Sequence, residues 1–402
     1  MKDLTTSTAS RRDFLMAATT TAAAGASWAA APPATQPAKP QLPTGILGKT
    51  KYPATLVSFG TVRLAERSDV RLVRQIIDSG VNLIHTSKSY TNGNSMQVMA
   101  EAFKAGRDYR ERIMLCVKSF RPQEESEIDE ILTILNIDHV DLLLPELHNA
   151  TTDDLERIQQ AQDNLKKKGK IRFSGFVCHG DLVGVTDMVL DKTPDFFDAA
   201  LMGMALAMPA DQHGSAERGN DQEADADQQK HFQQNIARLR KNGVGILSMK
   251  SGARQAVTQG YKAFGPHAKT VLAAGADTVL TSITTRDELE MIRRLDLSEL
   301  KLSPDEQKAA QAFQRSRHSA CRMCASCSNA CPQGMPINDL MRIRMYHDEY
   351  GWSEHARTEF QLLKVKPEQW FTKCGDCTVC SQVCPVGMAH AREVRRVASL
   401  FA

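Results

Sequence analysis

Eight of the ten cysteines lie in two stretches near the C-terminal end, "CRMCASCSNACP" at 321–332 and "CGDCTVCSQVCP" at 374–385. Both have the spacing C-x2-C-x2-C-x3-C-P, which lets three thiolates wrap one face of a [4Fe-4S] cube from a tight loop while the fourth projects away. Where two such runs share a small domain, the fourth cysteine of each usually serves the other cluster. The expected ligand sets are therefore Cys321, Cys324, Cys327 and Cys384 for one cluster, and Cys374, Cys377, Cys380 and Cys331 for the other. Structural zinc and disulfides compete as uses of cysteine. Zinc sites commonly take separated pairs of ligands, and disulfides need neither two identical runs nor the proline after the last cysteine. Cys116 and Cys178 fall in apolar runs and read as small buried hydrophobes.

A second set of chemically able residues ends successive apolar runs. His85 and, just beyond, Tyr90 follow "VNLI", Lys118 follows "IMLCV", His148 ends "VDLLLPELH", His179 ends "FSGFVCH" and Lys250 ends "VGILSMK". A phenol beside an ammonium has its pKa lowered and a histidine polarises a carbonyl, so together they can give a proton to a carbonyl being reduced. The runs that carry them include "TLVSFG", "FFDAALMG" and "TVLTSI", and they alternate with amphipathic segments such as "DVRLVRQIIDSG" and "DLERIQQAQDNLKKKG". Eight strand-like runs with helices between them predict a closed α/β (β/α)8 TIM barrel, whose strand ends bring these residues to one face. An open doubly wound sheet is disfavoured by the missing G-x-G-x-x-G after the first strand. The polar, acidic stretch 211–230 reads as a long loop after the sixth strand.

The segments "GVNLIHTSKSYTNGNSMQVMAEAF", "IMLCVKS", "LNIDHVDLLLPELH", "KKKGKIRFSGFVCHG" and "GVGILSMKSGA" resemble successive strand motifs of the aldo-keto reductase superfamily. With the cysteine runs, the chain is most similar to members that carry a C-terminal [4Fe-4S] ferredoxin-type domain. The resemblance implies a (β/α)8 barrel over 44–300, a small α-rich ferredoxin-type iron-sulfur domain over 301–402 and, in most members, NADPH with an Asp, Tyr, Lys and His tetrad. Tyr90 matches the tyrosine, Lys118 the lysine and His148 the histidine. His85 stands where the family has its aspartate, so the carboxylate partner of Lys118 is expected to be absent. Val177, Met204 and Ala205 stand where the family holds the nicotinamide ring. NADP(H) is therefore expected to bind weakly or not at all. In the loops after strands seven and eight, Ser251, Ser282, Thr284 and Arg286 either receive an adenosine phosphate or cap the following helices.

At the N-terminus, Arg11 and Arg12 precede "DFLMAATTTAAAGASWAAA", which resembles a twin-arginine export signal over residues 1–31. A Pro-rich linker follows over 32–43. The run from Met16 to Ala31 is too short and too weakly apolar for a stable membrane span. Clusters are assembled in the cytoplasm, so a protein carrying them crosses the membrane already folded, and the expected location is the periplasm or another exported site. A net charge of +3 argues against a nucleic-acid binder. Basic residues in "LLKVK" and "AREVRR" border the second run and suit an acidic redox partner protein. The expected function is an exported iron-sulfur oxidoreductase that couples cluster electrons to a barrel site, with carbonyl reduction of an unknown small molecule as the candidate reaction. The competing reading is a non-catalytic barrel scaffold carrying an electron-transfer module for a partner.

Overall fold

The structure is a computed structural model and describes residues 42–104, 106–147, 150–208, 221–316, 321–363 and 367–401. The expected export signal, the expected linker up to residue 41, and His148 lie outside the described residues.

The described residues open with a hairpin that the sequence reading did not anticipate. Strands β1 (Thr44–Leu47) and β2 (Tyr52–Thr55) pair antiparallel, with Leu47 opposite Tyr52. Eight parallel strands follow: β3 (Val57–Gly60), β4 (Leu83–Ser87), β5 (Met114–Ser119), β6 (Val140–Pro145), β7 (Ile171–Cys178), β8 (Ala199–Gly203), β9 (Gly245–Met249) and β10 (Thr278–Thr281). They pair in sequence order, and β10 returns to β3, so the sheet closes into the expected barrel. Every residue of β4, β5, β6 and β8 is buried, because one face meets the barrel interior and the other meets the helices. Leu83, Met114, Cys116, Leu142, Val177 and Leu247 pack inside the barrel. Ile84, Val117, Leu143, Phe176 and Cys178 belong to the layer between sheet and helices. Both lone cysteines are fully buried, as their apolar context predicts.

The hairpin stoppers the end of the barrel from which the strands start. Gly48, at φ 47, lies so close to β9 that a Cβ would meet the Gly245 nitrogen at 2.2 Å. Leu47 at the same point is fully buried among the interior side chains.

Two elements depart from the sequence reading. Residues 221–230, expected as loop, begin the helix Asp221–Lys241. Phe232, Ile236 and Leu239 bury its later turns against the barrel, and the polar first turns continue the same helix. The helix Pro304–Arg315, capped by Ser303 and Glu306, packs on Tyr261–Ala273 and adds Phe313 to the barrel core. The barrel body thus reaches beyond residue 300. Among the described residues from 326 onward the regular elements are helices, and Met335, Leu340, Phe360, Val394 and Val397 share a second core with several of the cysteines. Among the described residues no helix is long and apolar enough to cross a membrane.

Candidate functional site at the barrel mouth

The strand register decides which side chains meet. Lys118 of β5 is level with Leu144 of β6, so the residue just past β6 comes alongside it. That residue is Glu146. Its Oε2 lies 2.7 Å from Lys118 Nζ and 2.7 Å from His179 Nε2 at the end of β7, and Lys118 Nζ is 3.2 Å from the same imidazole nitrogen. The side chains of Lys118 and Glu146 are 9% and 11% exposed, so this is a desolvated pair with little screening. Burial holds His179 well below its ordinary pKa, opposed by Glu146 and reinforced by Lys250 and Lys118. The imidazole is therefore neutral, and the Glu146 charge is balanced by Lys118. The loop after Lys118 is fixed by Glu127, which accepts hydrogen bonds from Ser119 Oγ and from the Phe120 and Arg121 amides.

His85, 2% exposed, sits at the level of Cys116 on β4. Its Nε2 has no hydrogen-bond partner among the described residues. Burial, then the Lys118 and Lys250 charges, pull its pKa down to about 3, so it is a neutral ring. The ring meets Tyr90 edge to face at 5.8 Å between centroids. Tyr90 opens a short turn in which Thr91 and Asn92 take left-handed φ values of 48 and 53. For a β-branched threonine this is a strained conformation, held here by Thr91 Oγ1, which donates to the Leu64 carbonyl and accepts from the Ser95 amide.

The mouth is roofed from the C-terminal part of the chain. Tyr346, Tyr350 and Trp352 line, together with His85, Tyr90 and Lys250, a cavity of about 90 Å³. Tyr346 stacks on Trp352 and tilts against His355 at 4.7 Å, while His355 meets Tyr90 at 6.1 Å. Beneath them Arg342 is buried between Glu359 at 2.6 Å and Asp339 at 3.2 Å.

Residues 56–194 match the sequence model of the aldo/keto reductase family. That stretch, from β3 through the helix after β7, is thus similar to a family of oxidoreductases. Among solved structures, an aldo-keto reductase from Bacillus halodurans in its holo form superposes at TM-score 0.50 with 16% identity, over 68% of this chain and 96% of that one. An aldo-keto reductase from Klebsiella pneumoniae in complex with NADPH gives TM-score 0.50 with 14% identity, again over 68% and 96%. At these identities the likeness speaks for the fold.

Two expectations drawn from the aldo-keto reductase resemblance are corrected by the geometry. The carboxylate partner of Lys118 is present, supplied by Glu146 across the sheet instead of by position 85. The Tyr90 phenol is not drawn down toward neutrality: burial, followed by Tyr346, Glu359 and Glu146, pushes it well above its ordinary value. The lysine that was to tune it is engaged by Glu146. His148 lies outside the described residues. Val177, Met204 and Ala205 are buried apolar side chains, as the sequence indicates.

The candidate phosphate residues mostly serve each other. Ser251 is buried against His267 at 3.2 Å. The Ser282 carbonyl and Thr284 Oγ1 both accept from Arg254, which pairs with Glu288 at 2.8 Å. The Thr284 amide also donates to Glu288. Arg286 begins the helix Arg286–Arg293 on the surface. Sequence reasoning passed over Arg254, although it lies in the "SGAR" motif.

Cys321, Cys324, Cys327 and Cys384 line one small cavity, with Arg322 and His390 at its wall. Burial, followed by its neighbours Cys324 and Cys384, raises the Cys321 thiol to about 12. The Cys374 thiol is raised by burial and then by Cys331, Cys380 and Cys377, the members of the other set. Backbone amides of Met323, Met335 and Met388 point at the sulfurs of Cys321, Cys331 and Cys384 at 3.4, 3.4 and 3.2 Å. Among the described residues no group of three His, Cys, Asp or Glu side chains is arranged to hold a metal ion; the first four thiols instead surround a cavity. Clustered thiols with backbone amides directed at sulfur are the donor chemistry that an iron-sulfur cube takes.

Of the basic residues near the second set, Arg395 donates to the Gly375 carbonyl and Arg396 pairs with Asp348 and Glu393. Lys364 and Lys366 lie outside the described residues.

Proposed function

We propose that this protein is an exported iron-sulfur oxidoreductase that reduces a small carbonyl compound in the barrel mouth, with electrons supplied through two [4Fe-4S] clusters. One observation carries this reading: the first cysteine loop is fastened to the barrel. Arg322 donates to the carbonyls of Leu206 and Met208 at 3.0 and 3.2 Å, and Met323 joins the barrel core. Leu206 and Met208 belong to the loop that follows β8, so the seat of the first cluster is held against the same end of the barrel as the reaction site. Cys321, Cys324, Cys327 and Cys384 hold that cluster, and Cys331, Cys374, Cys377 and Cys380 hold the second. Bound clusters supply single electrons at potentials set by burial and by hydrogen bonds to sulfur.

The chain's own residues do the rest. Tyr90 keeps its proton and donates it to the carbonyl oxygen. Lys118, Glu146 and His179 form a buried, neutralised frame beneath the mouth, and Tyr346, Tyr350 and Trp352 stand over it. Exposed backbone around Gly375 and Asp376 leaves the second set accessible to a redox partner protein. The twin-arginine signal agrees with a protein that carries its clusters across the membrane folded.

The Klebsiella structure contains NADPH, and a nicotinamide is the electron source that this reading replaces. The buried apolar side chains of Val177, Met204 and Ala205, at the positions where the resemblance places the residues that hold the ring, support that replacement. The test uses anaerobically purified full-length protein: iron and sulfide analysis with EPR, and fluorescence titration with NADPH. Two reducible [4Fe-4S] signals without saturation at micromolar NADPH are expected. Micromolar affinity with carbonyl turnover by NADPH, or a protein without clusters, overturns the reading.

A further inference from the structure

Two lysines end barrel strands at the mouth, and they are treated differently. Lys118 is paired with Glu146. Lys250, just past β9, lines the mouth cavity with no carboxylate within ion-pair distance among the described residues, and its contacts are Met249 Sδ at 3.7 Å and the Tyr346 ring at 5.3 Å. A lysine that only fills space ordinarily sends its ammonium to water. This one is turned inward by its backbone. Lys250 takes a left-handed φ of 50, and Gly252 follows at φ 105, so the chain reverses directly after the strand. A left-handed non-glycine residue at the mouth of a barrel is strain kept where the site is built.

We propose that Lys250 is a nucleophile that condenses with a small aldehyde or ketone in the mouth cavity to form an imine. The Nζ lone pair attacks the carbonyl carbon, and the C=O π pair moves to oxygen, which takes a proton from nitrogen. The carbinolamine then loses water as the C=N bond forms. Amine and carbonyl give imine and water, so no oxidant or reductant is consumed. The surroundings favour the free amine that this requires. Burial lowers the Lys250 pKa well below its ordinary value, the Arg342 and Lys118 charges lower it further, and Glu146 and Glu359 oppose them from a distance. Tyr90, which keeps its proton and lines the same cavity, is placed to protonate the departing oxygen. An iminium is also more easily reduced than the carbonyl it replaces. The inference rests on the mouth as the substrate site and is independent of the clusters.

The test is reductive trapping on the full-length holoprotein at neutral pH under argon, with limiting acetaldehyde and sodium cyanoborohydride, read by peptide mass spectrometry. Lys250 is expected to be ethylated at least about tenfold faster than an exposed lysine such as Lys308, the ratio that one pKa unit of extra free amine gives. Labelling of Lys250 no faster than Lys308 overturns the proposal. EPR on the same sample separates the two readings. Intact cluster signals without preferential labelling refute the imine alone. Preferential labelling in a protein without clusters refutes the electron supply alone.

Discussion

Replacing Glu146 by glutamine removes one charge from the desolvated pair beneath the mouth and leaves its shape. The Lys118 and Glu146 side chains are 9% and 11% exposed, with 2.7 Å between charged atoms, so water cannot take over the carboxylate's role. Breaking such a pair from one side costs about 3–5 kcal/mol, because the remaining charge stays buried and unbalanced. Glutamine still offers Lys118 an oxygen, which places Glu146→Gln near the lower end, about 3 kcal/mol. Removing both charges with Glu146→Leu and Lys118→Met is expected to cost much less than the sum of the two single changes. The assay is urea unfolding of the four proteins of that cycle, and of Glu146→Gln, under argon at pH 7, followed by circular dichroism. The reasoning fails if Glu146→Gln costs less than about 1 kcal/mol, or if the single changes add to within roughly 0.5 kcal/mol, as independent sites do.

Other outcomes follow from the same site. His85 and His355 are held neutral in the fold, at about 3 and about 4, while the unfolded chain binds a proton at each near pH 6.5. Their contribution is present above that value and is lost as pH falls from 6.5 toward 4, by about 1.4 kcal/mol per unit and group, so urea midpoints should drop steadily across that window. A flat profile there contradicts the neutral assignment. For the clusters, the pair of changes Cys327→Ser and Cys384→Ser in one protein should leave about half the iron, since both ligate one cube. Near-complete loss of iron would mean that each run serves its own cluster. Truncating the roof with Tyr346→Ala is expected to destabilise the protein by about 3 kcal/mol and to admit small quenchers to the mouth; unchanged quenching would refute the roof.

The barrel was legible because its strands are buried on both faces and appear in the sequence as short, nearly continuous apolar runs. The hairpin was not: "TGIL" and "YPAT" are four residues each, the second holds Pro53, and only contact with β9 explains them. Tyr90 and Lys118 were found by motif, and both line or underlie the mouth. Glu146 was quoted within "DLLLPELH" but not singled out. Its partner lies on the neighbouring strand, and the sequence does not carry the register that joins them. The cysteine runs stood out in the sequence because their spacing is the one a cluster loop needs. The roof was invisible: "MYHDEYGW" shows three aromatic residues in a row of polar ones, and nothing local says that they cover a site more than two hundred residues earlier. In 221–230 the missing periodicity was real, but the helix there is carried by apolar residues that start only at Phe232.

The barrel is closed at one end by Leu47 and Gly48 against Gly243 and Gly245, and at the other by Tyr346, Tyr350 and Trp352. During synthesis the chain emerges from its N-terminus, so these closures are separated in time. The hairpin can pair with itself and with Asn82 early, but its contact with Gly243 and Gly245 waits until β9 has been made, and only then is the floor sealed. The roof arrives after the last strand, when the chain has passed the first cysteine run. Between those moments the half-finished protein is an open cup, and the mouth takes its final width only when the last-made layer settles on it.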